Sequence, residues 1–272
     1  MIEQLNINVS RWIENLEKRG RISFSLNQLE EELPNYSGAA IKSALKRLSK
    51  KGKIVSFHKG FYLIISAQYA NRGILPASLF MDDFMKFLNR PYYVGLLSAA
   101  ALYGAAHQQP QEYFVITDFP VLRPSNKKGL KVNFISKSNI ESRLLRERKT
   151  ESGYLKVSSP VLTASDLVQY EKRSGGITRA ATVLNELVEE MEPKEFDSVF
   201  FASTTATAIQ RLGYLIERVL NNEKLANELF EASQKNGLVF FRVPLKASAP
   251  AKGFSSENRW KVIVNVEIEI DE

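Results

Sequence analysis

The chain of 272 residues contains no cysteine, which excludes disulfide frameworks and thiolate metal sites. Histidine is almost as scarce. Only His58 and His107 are present, far apart, so neither a zinc site nor a His-based catalytic pair is expected, and no metal or cofactor is assigned. No uncharged run approaches the ~20 residues of a membrane span. The start of the chain has neither the basic n-region nor the apolar h-region of a secretory leader, so a cytoplasmic location is expected. Also missing are a phosphate-cradling Gly loop with its following Lys, a Gly-x-Ser-x-Gly turn and a His-containing metal motif. The expectation is therefore a protein that is not an enzyme, with no catalytic residue.

The most local absence is that of negative charge. From Leu33 to Met81 there is no Asp or Glu, while the same stretch holds Lys42, Lys46, Arg47, Lys50, Lys51, Lys53, Lys59 and Arg72. Those eight cations exceed the formal net charge of the whole protein, +7, so the rest of the molecule is close to neutral. A clustered positive field is what a polyanion such as DNA requires, whereas the same excess spread evenly says little beyond solubility.

The cluster sits on a pattern. Leu5, Val9, Trp12, Ile13 and Leu16 mark an amphipathic helix that stops at Gly20, and Arg21 to Ser25 reads as a short strand. Ser25 opens a second short helix with Leu26, Leu29 and Leu33, closed by Pro34. Ser37 caps a third, whose apolar positions Ile41, Ala44, Leu45 and Leu48 leave Ala39, Lys42, Ser43, Lys46 and Lys50 on the opposite face; Gly52 ends it. Two β-prone runs, Lys53 to Phe57 and Phe61 to Ile65, are joined through His58-Lys59-Gly60 as a hairpin.

Helix, strand, helix, turn, helix, hairpin is the order of a winged helix-turn-helix, expected over residues 1–70. In that arrangement the basic helix enters the major groove of double-stranded DNA and the hairpin touches the backbone beside it. The candidate DNA-binding residues follow. Lys42, Ser43 and Lys46 are placed to face the groove; Lys50, Lys51 and Lys53 meet phosphates, which position without reading sequence. Lys59 stands at the wing tip and Ser37 at the helix start. Arg47 lies near the edge of the apolar stripe, able either to join the groove face or to snorkel across the stripe. A Lys-rich helix face alone is commonly only a solvated surface; the element order and the charge segregation give it more weight.

After a boundary at Ser66 to Pro76, residues 71–272 read as a larger α+β domain with a mixed sheet. Expected helices cover Leu79 to Leu88, Tyr92 to Tyr103 (buried and rich in small residues), Leu162 to Tyr170, Thr178 to Met191, Thr204 to Leu220 and Lys224 to Lys235. Expected strands cover Tyr113 to Thr117, Lys131 to Ser136, Leu238 to Leu245 and Trp260 to Ile270, with Tyr154 to Val157 as a strand or irregular segment and Pro120 to Gly129 as a loop. Asp166 reads as a first-turn acid favoured by a helix dipole, and Glu186, Glu189, Glu190, Glu192 and Glu195 as a solvated helix end. Lys127, Lys128, Lys131, Lys137, Arg143, Arg146, Arg148 and Lys149 form a second basic segment, read as a loop and following helix. It serves as solvated surface, as an added contact to DNA, or as a site for an acidic patch on a protein partner.

The run from Tyr92 to Gly104 and the segment Gln111 to Thr117 resemble the core of AbiE-type antitoxins, regulators from bacterial type IV toxin–antitoxin pairs linked to phage abortive infection. The likeness continues at Ser159 to Val168 and at Gln210 to Glu217. Each stretch alone is aliphatic core with a few turns; four in order behind a winged helix are more specific. The resemblance implies a repressor of its own operon that binds promoter inverted repeats, two protomers meeting on DNA, with the larger domain neutralising a nucleotidyltransferase-like toxin. A ligand-responsive winged-helix regulator without a toxin is the alternative, since Tyr92, Tyr93, Tyr103 and Tyr113 line either a pocket or an ordinary core.

Overall fold

The computed structural model describes residues 8–105 and 111–270; Leu5 and His107, named above, lie outside the described residues. The chain begins with helix α1 (Val9–Lys18), whose Val9, Trp12, Ile13 and Leu16 are buried on one face. Strand β1 (Ser23–Ser25) leads directly into α2 (Leu26–Glu32), because the Ser25 side chain accepts a hydrogen bond from the Gln28 amide and so caps the helix. Helix α3 (Gly38–Lys50) is capped in the same way by Ser37, which accepts from the Ala40 amide. Strands β2 (Ile54–His58) and β3 (Phe61–Ile64) form the hairpin, and β1 adds to it in the order β1-β3-β2, antiparallel throughout.

The three-stranded sheet has two apolar faces. Ile54 and Ile64 join Trp12, Phe24, Leu29, Ile41 and Leu45 in a core shared with α1 to α3, where the Trp12 and Phe24 rings meet edge-on at 5.3 Å. Phe57, Phe61, Leu63 and Ile65 point the other way, into a core shared with helix α4 (Ala77–Phe87). There Phe57 meets Phe80 at 4.7 Å and Phe84 at 4.9 Å, and Phe84 reaches Phe134 of the large sheet at 6.1 Å. Ser23 also donates a hydrogen bond of 2.6 Å to Asp83 of α4. Apolar packing thus runs without a break across the boundary expected after Ala70.

The large sheet has six strands in the order β6-β7-β5-β4-β9-β8: β4 (Tyr92–Val94), β5 (Glu112–Thr117), β6 (Ser125–Lys127), β7 (Leu130–Ser136), β8 (Leu145–Thr150) and β9 (Gly153–Ser158). Pairs β4/β9 and β5/β7 are parallel and the other three antiparallel, so the fold is α+β with a mixed sheet. Period-two alternation divides its side chains. Tyr92, Val94, Val115 and Phe134 face α4 and the small sheet, while Tyr93, Phe114, Ile116 and Ile135 face a layer of helices. That layer is α5 (Leu96–Leu102), α6 (Pro160–Gln169), α7 (Ile177–Leu187), α8 (Ser198–Ser203), α9 (Ala206–Tyr214) and α10 (Glu223–Lys235), with a π-turn Leu215–Val219 continuing α9.

Several sequence expectations are corrected. Tyr92 to Tyr103 is not one helix: β4 is a central strand buried on both sides, and a turn at Gly95 separates it from α5. A Cβ on Gly95 would lie 2.5 Å from Ile116 Cδ1, so any other residue there would have to displace the buried Ile116 side chain. The Pro120 to Gly129 loop contains the edge strand β6, and the helix expected after Lys137 is instead a short 3-10 turn followed by strand β8. Helix α8 went unpredicted. At the C-terminus, the expected strands shrink to β10 (Val243–Pro244) and β11 (Val262–Ile263), paired in parallel.

What holds that last segment is mainly side-chain chemistry from α9 and its π-turn. Gln210 donates to the carbonyls of Phe241 and Trp260, each at 2.6 Å, and Arg211 Nε donates to the Pro244 carbonyl at 2.8 Å. Glu217 accepts from Trp260 Nε1 at 2.7 Å and from Arg259 Nε at 2.6 Å.

Candidate nucleic-acid interface

Helix α3 presents its surface because its apolar positions are spent inward. Ile41 and Leu45 are buried, Ala44 and Leu48 half-buried, and Ser37, Lys42, Ser43, Lys46, Arg47 and Lys50 exposed. Arg47 is therefore on the outer face. Lys51 and Lys53 follow the helix end, also exposed, and Lys59 stands exposed at the hairpin tip beside Gly60, whose φ of 78° makes the tight reversal. None of these seven cations belongs to an ion pair among the described residues. The whole candidate set thus occupies one contiguous part of the chain and takes part in no ion pair among the described residues.

The second basic segment is different. Lys131 pairs with Glu112, whose carboxyl is held below its ordinary value chiefly by that Lys131 hydrogen bond. Arg143 pairs with Asp197 at 3.2 Å, Arg146 pairs with Glu195, and Arg148 stacks over the Tyr103 ring at 4.7 Å. Lys137 is not a surface group at all. Its side chain is 10% exposed and its ammonium lies 3.3 Å from the Asp166 carboxylate, which is fully buried. Asp166 also accepts a hydrogen bond of 2.7 Å from the Tyr93 hydroxyl. It stands in the second turn of α6 and not the first, so burial, and not a helix dipole, dominates it; desolvation raises its pKa against the opposing pull of Lys137 and Tyr93. Burial likewise lifts the Tyr93 hydroxyl well above its ordinary value. Of the acidic run, Glu195 pairs with Arg146 and Glu192 with Lys194.

Removing the paired members leaves Lys149, exposed in β8, and Lys127 and Lys128, exposed at the turn between β6 and β7 on the side of the small-sheet hairpin. Lys127 and Lys59 line the same groove, together with Arg123 from the β5–β6 loop. Arg123 had no signal in the sequence: it is a lone cation in a proline-bounded loop, and only the packing of the small sheet on α4 brings it beside the hairpin tip. Among the described residues no group of three or more His, Cys, Asp or Glu is gathered as a metal site, and no helix is long and apolar enough to cross a membrane.

Residues 93–218 match the family model of the AbiEi antitoxin C-terminal domain. The match begins in β4, ends in the π-turn and leaves α1 to α4 outside it. The RV2827C protein of Mycobacterium tuberculosis has a similar solved structure, with a TM-score of 0.66 and 16% identity over 93% of this chain and 90% of that one. This likeness is one of fold. No curated protein matches the chain by sequence.

Proposed function

From the premise that residues 93–218 belong to the AbiEi antitoxin C-terminal domain family, we propose that this antitoxin is also the DNA-binding repressor of its own operon. In this reading residues 1–70 are a winged helix-turn-helix that docks α3 in the major groove of promoter inverted repeats, and residues 71–272 carry the antitoxin function against a nucleotidyltransferase-like toxin. The observation that supports it most is the unopposed charge of Lys42, Lys46, Arg47, Lys50, Lys51, Lys53 and Lys59, displayed on one helix and its neighbouring hairpin.

Within that surface, Lys42, Ser43 and Lys46 read the groove. Lys50, Lys51 and Lys53 neutralise phosphates, Ser37 meets the backbone at the helix start, Arg47 joins the outer face and Lys59 follows the strand flanking the groove. Lys127 and Lys128 add a backbone contact beside the wing. Two protomers meet on one inverted repeat. A mobility-shift assay on promoter DNA from its own operon tests the reading: binding that falls steeply with salt and is lost with the α3 lysines supports it, and absence of binding at low salt rejects it.

A further inference from the structure

Between the hairpin tip and the β5–β6 loop lies a groove of about 630 Å³, inside the roughly 300–1,000 Å³ range of small-molecule sites. Its floor is aromatic, made of the small accessible parts of Phe57 from the hairpin (3% exposed), Phe84 from α4 (2%) and Phe134 from β7 (8%). Val121, Leu122 and Pro124 supply an apolar wall. Lys59, Arg123 and Lys127 converge on it, and no Asp or Glu lines it. The rim is apolar as well as charged: Val121 is 67% exposed, and nearby in sequence Phe119 is 59% exposed.

We propose that this groove binds a free nucleoside phosphate, and that its occupancy loosens the protein from DNA. The aromatic floor and apolar wall suit a planar base, which inorganic phosphate lacks. Three convergent cations suit more than one negative charge, which an unphosphorylated nucleoside lacks. The missing carboxylates leave nothing to favour a cationic ligand. Because Lys59 belongs both to the groove and to the proposed DNA surface, a phosphate held there competes with the DNA backbone for the same ammonium. This regulatory step rests on the DNA-binding reading; the binding step does not.

Isothermal titration calorimetry of the full-length protein without DNA tests the site directly, using ATP, GTP, adenosine and inorganic triphosphate as probes. At least one nucleotide binds 1:1, at least tenfold tighter than adenosine and than inorganic triphosphate. Arg123→Ala and Val121→Glu, both at exposed positions, each weaken that binding at least tenfold. No 1:1 binding, equal affinity for inorganic triphosphate, or binding unmoved by both variants overturns the site. In a second arm, saturating nucleotide lowers wild-type DNA affinity at least fivefold but not that of Arg123→Ala; bound nucleotide without this loss overturns the regulation. A protein that binds nucleotide but no DNA in any condition would instead reject the repressor reading.

Discussion

Replacing Gly213 by Ala adds one methyl group at a place where the fold has no room for it. An ideal Cβ there would lie 2.3 Å from Cη2 and Cζ3 of Trp260 and 2.4 Å from Cζ2. The indole is poorly free to retreat: it is fully buried, held through Nε1 by Glu217 at 2.7 Å, and set edge-on to Phe230 at 5.3 Å. Overpacking of this kind costs about 1–3 kcal/mol. Displacing the indole from the charged Glu217 acceptor forfeits a further ~1.5–3 kcal/mol. Against this, Ala in place of Gly within a helix returns about 1 kcal/mol. The expected net loss is about 3 kcal/mol, read from urea unfolding, or a fall in Tm of about 6–12 °C at 2–4 °C per kcal/mol. In a Trp260→Ala background the same substitution becomes neutral or stabilising by up to ~1 kcal/mol. A neutral Gly213→Ala in the wild-type chain, or an equal cost in both backgrounds, would refute the close approach of α9 to the C-terminal segment.

A fragment ending at Ala70 uncovers Phe57, Phe61, Leu63 and Ile65, each worth about 1.5–3 kcal/mol when buried, so it melts far less cooperatively than a fragment ending at Arg90 that keeps α4; equal unfolding of the two by circular dichroism would contradict the shared core. Asp166 has its pKa raised from the ordinary 3.8 by burial, so the native state keeps a proton that the unfolded chain has released. Its contribution to stability is greatest below about pH 3.8 and is lost as pH rises through the folded value. The stability of wild type minus that of Asp166→Asn, measured in urea across pH 3.5 to 7, therefore declines with pH, and a rising difference would show the Lys137 pair outweighing desolvation. Lys127→Ala with Lys128→Ala lowers DNA affinity and flattens its log–log salt dependence by about 1.8, at ~0.9 per phosphate contact; unchanged affinity returns the pair to plain surface.

How much of this was legible beforehand varies by element. Helices α1 to α3 and the hairpin follow from apolar spacing, from Ser25 and Ser37 as caps, and from Gly52 and Gly60 as stops, all local signals. Strand β4 was hidden because a strand buried on both faces shows an unbroken apolar run, and Tyr92 to Val94 abuts the small-residue run of α5. Strand β8 was hidden for the opposite reason. Leu145-Arg-Glu-Arg-Lys-Thr150 is rich in good helix formers, yet it is an edge strand, where charge protects the exposed ladder. The alternation Val262, Val264, Val266, Ile268 and Ile270 suggested a long strand, but beyond the two-residue pairing of β10 with β11 the region is anchored by the side chains of Gln210, Arg211, Asn265 and Glu217. The α3 face was read correctly as a surface, while the internal pairing of Lys131, Lys137, Arg143 and Arg146 depended on contacts between residues distant in sequence.

The central claim, that α3 is the face presented to DNA, is tested most directly by the salt dependence of binding to promoter DNA for Lys42→Ala, Lys46→Ala and Lys50→Ala combined. All three side chains are exposed and outside every ion pair among the described residues. Alanine is at least as good a helix former as lysine, so the urea midpoint should stay put. Affinity should fall through the lost groove contacts of Lys42 and Lys46, and the log–log slope should flatten by about 0.9 for the one phosphate that Lys50 no longer neutralises. Unchanged affinity and slope in a correctly folded triple variant would contradict the account.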